Sequence, residues 1–357
     1  MVNLPLAEKT DISNWDFENL TLKNPDSTKP DTDLLPPGAK NAVILKDGEI
    51  LHRELEEGLT IGECDIAVKE SNKLINLNIN NKNSSLQVNV AKNTKPEAIY
   101  IVYIAESRSL VHQTEITIET GAEAEIIETF TGSNKLSSNI VSKINIKPNA
   151  KLHISAINEL NGKSTLYYHR LSEIENDGLL HTTNFIINNS NIVFEDFNHL
   201  TGKGSTADVA TVALATESQK QNITIRVENM APYSIGNIVN YGVVKDTAHL
   251  AFNGIGKIHK NNHGGDNQQE SRLLNLSKTA EAIANPFLLI DEGDITAGHA
   301  ASIGQIDPEK IYYLMSRGMS KKEAEKMIVA GFLRPFIDII KNEILHNRLL
   351  DIIDGKL

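Results

Sequence analysis

At 357 residues, with 40% hydrophobic and 23% charged side chains, the chain is long enough for a sizeable core and has the composition of a soluble globular protein. Its formal charge of −11 without a dense basic patch argues against nucleic acid as a partner, and no apolar run approaches the roughly 20 residues that cross a bilayer. A single cysteine, Cys64, excludes an internal disulfide and a self-contained four-thiolate site.

The opening MVNLPLAEKTD lacks the charged-then-apolar pattern of a secretory signal, which predicts a cytoplasmic protein. NWDFENL predicts a turn or short helix around Trp15 and Phe17. NPDSTKPDTDLLPPGAK, rich in Pro, Asp and Thr, predicts a linker, so that residues 1–40 form an N-terminal segment. From Ala42 the pattern is strand-like almost without relief, in runs such as AVILKDGEIL, AIYIVYIA, KLHISAIN and ITIRVEN. No long amphipathic helix interrupts them before Asp307, which excludes a doubly wound α/β fold.

Small residues stand at a turn before successive strands at Ala122, Ala150, Gly178 and Ala207, in steps of 28, 28 and 29 residues. Ala248 and Ala280 continue the pattern more loosely. A period of this size signals stacked repeats, because a single coil cannot bury its inward Ile, Val and Leu alone. The expected fold is mainly β: a β-solenoid core over residues 41–304, followed by a helical region over 305–357. A β-sandwich is the structural alternative.

Cys64, in IGECDIAV, reads as a small buried or half-buried residue. Glu123, Glu125 and Glu128 are expected to face solvent rather than to form an acid–base pair. His259 and His263 fall in a loop-forming stretch, KIHKNNHGGDN, which predicts no preformed metal site. His169, His181, His199 and His249 are scattered and carry no assigned role. Phosphate loops, GxGxxG, GxSxG and HExxH are absent, so the chain is not expected to hydrolyse ATP or to be an enzyme.

The most informative stretch is Asp291 to Ile340. His299 lies among small neighbours, Gly298, Ala300 and Ala301, which leaves its imidazole accessible to a metal or thiolate; a hydrogen bond to Asp294 within a turn is the plain alternative. Asp307 and Pro308 predict a helix start and Gly318 its end; Ser320 and Glu323 make a capping box for the next helix. Ala324, Met327, Ile328, Gly331 and Phe332 form an expected apolar stripe, Pro335 an expected kink or break, and Phe336, Ile339, Ile340, Ile344 and Leu345 resume the pattern.

DITAGHAASIGQIDPEKIYYLMSRG, with the downstream EAEKMIVAGFL and the upstream FNGIGKI and QQESRLLNLS, resembles the SufB/SufD family of iron–sulphur cluster assembly proteins, in its SufD branch of Gram-positive type. The resemblance implies a right-handed parallel β-helix. It implies pairing with SufB through the solenoid and binding of the SufC ATPase through the C-terminal helices, with Met327, Phe332 and Phe336 as the expected contact. Where SufB commonly has a cysteine two positions before the histidine, this chain has Ala297. His299 is then an interface ligand for iron or a nascent cluster held transiently in the complex, and the chain alone binds no cofactor. The rival expectations are a pectin-lyase-like β-helix enzyme and a homodimeric scaffold acting without SufB.

Overall fold

The computed structural model describes residues 17, 20–22, 35–66, 72–132, 136–160, 164–340 and 342–357; Trp15 and most of the expected linker lie outside the described residues. The strands alternate between two sheets. The first sheet holds β1 (Asn41–Lys46), β2 (Glu49–Glu54), β5 (Ile99–Ile104), β7 (Glu123–Thr131), β9 (Lys151–Asn158), β11 (Leu179–Ile186), β13 (Thr206–Ala215), β15 (Ile235–Val244), β17 (Gly265–Asn275) and β19 (Ile295–Gln305). The second holds β3 (Leu59–Gly62), β4 (Ser84–Val90), β6 (Val111–Ile118), β8 (Ser138–Ile146), β10 (Thr165–Ile174), β12 (Asn191–Leu200), β14 (Lys220–Asn229), β16 (His249–Ile258) and β18 (Glu281–Ile290). The result is a β-solenoid of about seven turns, mainly β as expected.

From β4 and β5 onward every pairing is parallel, each strand bonding to the strand one coil away in the same sheet. Only the start differs, where β2 pairs antiparallel with β1 and β3 with β4. In-register pairing stacks like on like along the axis: Ala124, Leu152, Leu180 and Ala207 form one buried row between the sheets. Each buried leucine in such a row stabilises the fold by about 1.5–3 kcal/mol.

The turns explain the sequence period. Asn93, Gly121, Asn149, Asp177, Gly204, Tyr233 and Gly264 all have positive φ, and each donates its backbone N–H to the turn of the following coil. Asn, Asp and Gly tolerate this left-handed geometry, which is why they punctuate the repeats. The small residue that follows is buried, as Ala122, Ala150 and Ser205 are; Ala207, expected at a turn, lies instead within β13, in register with Ala124. Gly264 has a further reason to be glycine, since a Cβ there would meet the Tyr233 ring at 2.5 Å.

One helix escaped the sequence reading. Lys73–Asn81 forms α1, capped by the Asn72 side chain, which accepts from the Ile75 N–H. Its run LINLNIN alternates apolar and polar with period two, which imitates a strand. It lies on the outer face of the second sheet, where Ile75 and Phe17 pack with Tyr167 and Val193. Asn78 is buried and donates to the backbone of His112 and Asn139, tying α1 to two strands.

The C-terminal helices are α2 (Pro308–Ser316), α3 (Lys321–Ile337) and α4 (Glu343–Lys356). Asp307 caps α2, Gly318 follows it with positive φ, and Ser320 with Glu323 closes the capping box of α3, all as expected. The break expected at Pro335 does not occur. The helix runs on to Ile337: Pro335 forgoes its one bond to the Gly331 carbonyl, while Leu333, Phe336 and Ile337 on either side stay buried against the solenoid. The expected stripe is also corrected: the residues buried on the solenoid are Ala324, Val329, Leu333, Phe336 and Ile337, whereas Met327 and Gly331 face outward. The stripe follows the solenoid face made by Ile157, Phe185, Val212 and Val243, which α3 and α4 cover. In the resumed pattern Ile340 and Leu345 are buried, while Ile339 and Ile344 are half exposed.

Candidate functional site: the open last coil, its interior seam and the helical face

His299 lies in the middle of β19, and none of the eleven residues of that strand is buried. The strand ends the first sheet: one side pairs with β17, and no strand among the described residues pairs with the other. β18 ends the second sheet in the same way, with its residues only half-buried. The last coil therefore presents two rows of unpaired backbone donors and acceptors, together with exposed Ile290 and Ile303. Such an edge is a template for another chain unless something covers it.

Register decides which way His299 looks. It pairs with Gln269, and the buried residues of β17 are Gly265, Asn267, Gln269, Ser271 and Leu273. Side chains alternate along a strand, so Ala297, His299 and Ala301 share the interior face at the mouth of the solenoid. His299 is thus a strand residue, not the turn residue of the plain alternative, and no hydrogen bond from Asp294 holds it. The turn before the strand is held otherwise: Gly264 N–H donates to the Asp294 carbonyl at 2.7 Å and Asn261 N–H to Glu292 Oε2 at 2.8 Å. Backbone donors at Gly293 and Asn261 draw the Glu292 carboxyl below its ordinary value.

Among the described residues no three His, Cys, Asp or Glu side chains gather closely enough to hold a metal ion. His299 offers one nitrogen on the interior face at the mouth, and Ala297, two positions before it on the same face, offers no thiol. Cys64 is no substitute. It is buried, its thiol donates to the Leu86 and Gln113 carbonyls at 3.5 Å, and burial pushes its pKa up, which keeps it an inert thiol. His259 and His263 do not come together either, His263 stacking edge-on against Tyr233 at 5.0 Å.

Behind the mouth runs a polar seam that sequence reasoning missed. Glu128, Ala156, Asn184, Thr211, Asn240 and Ser271 occupy one interior register, facing Ser142, Arg170 and Asp196 of the second sheet. Glu128, expected at the surface, is 1% exposed and accepts from Tyr103 at 3.2 Å and Tyr168 at 3.1 Å. Alternation carries the correction: Glu123 and Glu125 share the outer face, and Glu128 has the opposite parity. Burial raises its carboxyl pKa, and Arg170 offsets part of that rise. Arg170 is fully buried, donating from Nε to Asp196 Oδ1 at 3.2 Å and from Nη2 to Asn184 Oδ1 at 2.7 Å. Its Nη1 and the hydroxyls of Ser142 and Ser172 have no hydrogen-bond partner among the described residues.

The residues chosen from sequence for a docking face do not share one surface. Met327 is 53% exposed, but Phe332 is half-buried and Phe336 is 9% exposed, their rings packed on Tyr241 at 4.9 and 4.5 Å. The exposed apolar surface instead continues from Met327 onto α2, none of whose residues is buried. Tyr313 and Leu314 line a shallow depression with Met327, and Tyr312 stands 75% exposed beside them. The signal in the sequence was YYLM, a run too apolar for a helix wholly in water.

A parallel solenoid whose last coil is uncapped among the described residues, with a helical appendage on one face, defines the class of β-solenoid proteins. Residues 101–332 match the family model described as SUF system FeS cluster assembly, SufBD core domain. The iron–sulphur cluster assembly protein SufD of Bacillus subtilis is 30% identical over 99% of this chain and 90% of its own length. Its Escherichia coli namesake is 26% identical over 68% of this chain and 58% of its own, and a SufBD family protein of Staphylococcus epidermidis 24% over 87% and 69%. The chain belongs to the SufBD family.

Proposed function

We propose that the chain is a non-catalytic, SufD-type scaffold of SUF iron–sulphur cluster assembly that pairs with SufB through its last coil and binds the SufC ATPase through its C-terminal helices. The observation that carries this reading is the uncapped edge of β18 and β19 with His299 at its mouth. A second solenoid presenting the same kind of edge extends both sheets without a break, and it supplies the ligands this chain lacks. Iron or the nascent cluster is then cargo held between the two chains, with His299 giving one borderline nitrogen donor. SufC docks on the outward surface of Met327, Tyr312 and Tyr313, while Phe336 anchors the helix beneath it. An ATP-driven shift of SufC reaches the solenoid through α3 and α4, which are packed on the strands leading to the edge. Pairing of two copies of this chain uses the same edge and is the alternative in the absence of SufB.

The test is reconstitution with SufB and SufC. His299→Ala is expected to leave the assembly intact on size-exclusion chromatography and to lower cluster yield, read from visible absorbance, at least tenfold. An unchanged yield removes His299 from the mechanism, and failure of the wild-type chain to join SufB removes the pairing.

A further inference from the structure

The outer face of the first sheet carries a second polar row, independent of the last coil. Glu125, His153, His181, Asp208 and Asn237 stand in direct register on β7, β9, β11, β13 and β15. They floor a cavity of about 690 Å³ whose wall includes Ile339 from the turn between α3 and α4. The two imidazoles lie stacked and parallel, with centroids 4.8 Å apart and planes within 1°.

The surroundings suit a cation. Asp208 Oδ2 lies 3.3 Å from His181 Nδ1, and Asn237 Nδ2 donates to Asp208 Oδ1 at 2.6 Å, holding the carboxylate in place. A carboxylate against Nδ1 favours the tautomer that keeps the proton there and leaves the Nε2 lone pair for a ligand. Glu97, Glu123, Glu125 and Asp208 line the cavity against a single lysine, Lys95, which Glu123 already engages at 2.7 Å.

We propose that His153 and His181 form a labile site for a borderline divalent metal ion, with Asp208 orienting His181 and water completing the coordination shell. Imidazole donors select the zinc and iron(II) class over magnesium or calcium. Metal–nitrogen bonds of about 2.1 Å place two donor nitrogens roughly 3.4 Å apart in tetrahedral geometry, so the two rings must turn out of their parallel stack until their in-plane lone pairs converge on the ion. Among the described residues no third protein ligand is gathered at the pair, which makes the ion exchangeable instead of structural. The site is separate from His299, so it stands or falls independently of the interface reading.

The probe is zinc added to the full-length chain, with carbethoxylation of each histidine by diethyl pyrocarbonate mapped by peptide mass spectrometry and affinity read by equilibrium dialysis. One equivalent of zinc is expected to protect His153 and His181 at least fivefold and to leave His299 reactive. His153→Ala with His181→Ala is expected to weaken binding of that equivalent at least tenfold, whereas His52→Ala, on β2, leaves it unchanged. Equal reactivity of His153 and His181 with and without zinc overturns the proposal, and this wild-type readout decides the matter even if the double variant folds poorly.

Discussion

The early and last coils of the solenoid are built by the same rule and end in opposite states. His112, on β6, is fully buried: Ser84 Oγ lies 2.9 Å from its Nδ1 and Tyr103 packs edge-on against it at 5.1 Å. His299, on β19, is exposed in a strand with no buried residue. A coil between two others has both ladders satisfied and both ends of its interior closed, so polar groups there serve the fold. The last coil has one ladder free and its interior open, so a histidine there is available to a partner. The lesson is that, for polar groups inside the solenoid, position along the axis decides more than residue type whether they are closed in by the fold or left open.

The largest effect that tests this contrast is expected in the interior seam. Arg170→Met leaves Asp196 buried without its counter-charge and is expected to cost about 3–5 kcal/mol in urea unfolding. Ile303→Ala, on the open strand, is expected to change stability by no more than about 0.5 kcal/mol. Equal losses at the two positions break the contrast. A second comparison divides α3 by face. Leu333→Ala opens a cavity against the solenoid and is expected to cost about 2–5 kcal/mol, whereas Met327→Ala stays within about 0.5 kcal/mol but weakens SufC capture in a pull-down. Undiminished capture moves the docking surface off this face.

The smallest effect is a pH dependence. Burial, assisted by the charge of Lys82, pushes the His112 imidazole down to about 3. Its unfolded value is near 6.5, so between these limits the unfolded chain takes up a proton that the folded chain refuses. This contribution is fully present above the unfolded pKa and is lost as pH falls toward the folded one. Going from pH 6.5 to pH 5 is expected to cost about 1.6 kcal/mol through this group. Urea unfolding at the two pH values should therefore show a steeper acid loss in the wild type than in His112→Asn. Parallel losses would mean that His112 is not held neutral.

Much of the architecture was legible because its causes are local. Asn149, Asp177 and Gly204 recur where a left-handed turn must be made, and the small residue behind each is packed too closely for a larger one. Asp307, Pro308, Ser320 and Glu323 announced their helices because capping involves neighbours in sequence. The failures were those in which a residue's surroundings come from another coil. Glu128 looked like a surface residue beside Glu123 and Glu125, and its buried partners, the hydroxyls of Tyr103 and Tyr168, come from 25 residues before it and 40 after. α1 was hidden because its Asn78 satisfies strands far along the chain, so the period of its apolar residues did not report its conformation.

The period of the turns, the inward rows of Ile, Leu and Val and the caps of the last helices were determined by sequence alone, since each is a relation between residues within one coil or one helical turn. Tertiary structure decided which helix face is covered, that Arg170 and Glu128 lie inside, that His153 stacks on His181, and that β19 has one side unpaired among the described residues. Those are relations between coils. Register sets them by bringing together side chains that no local pattern links.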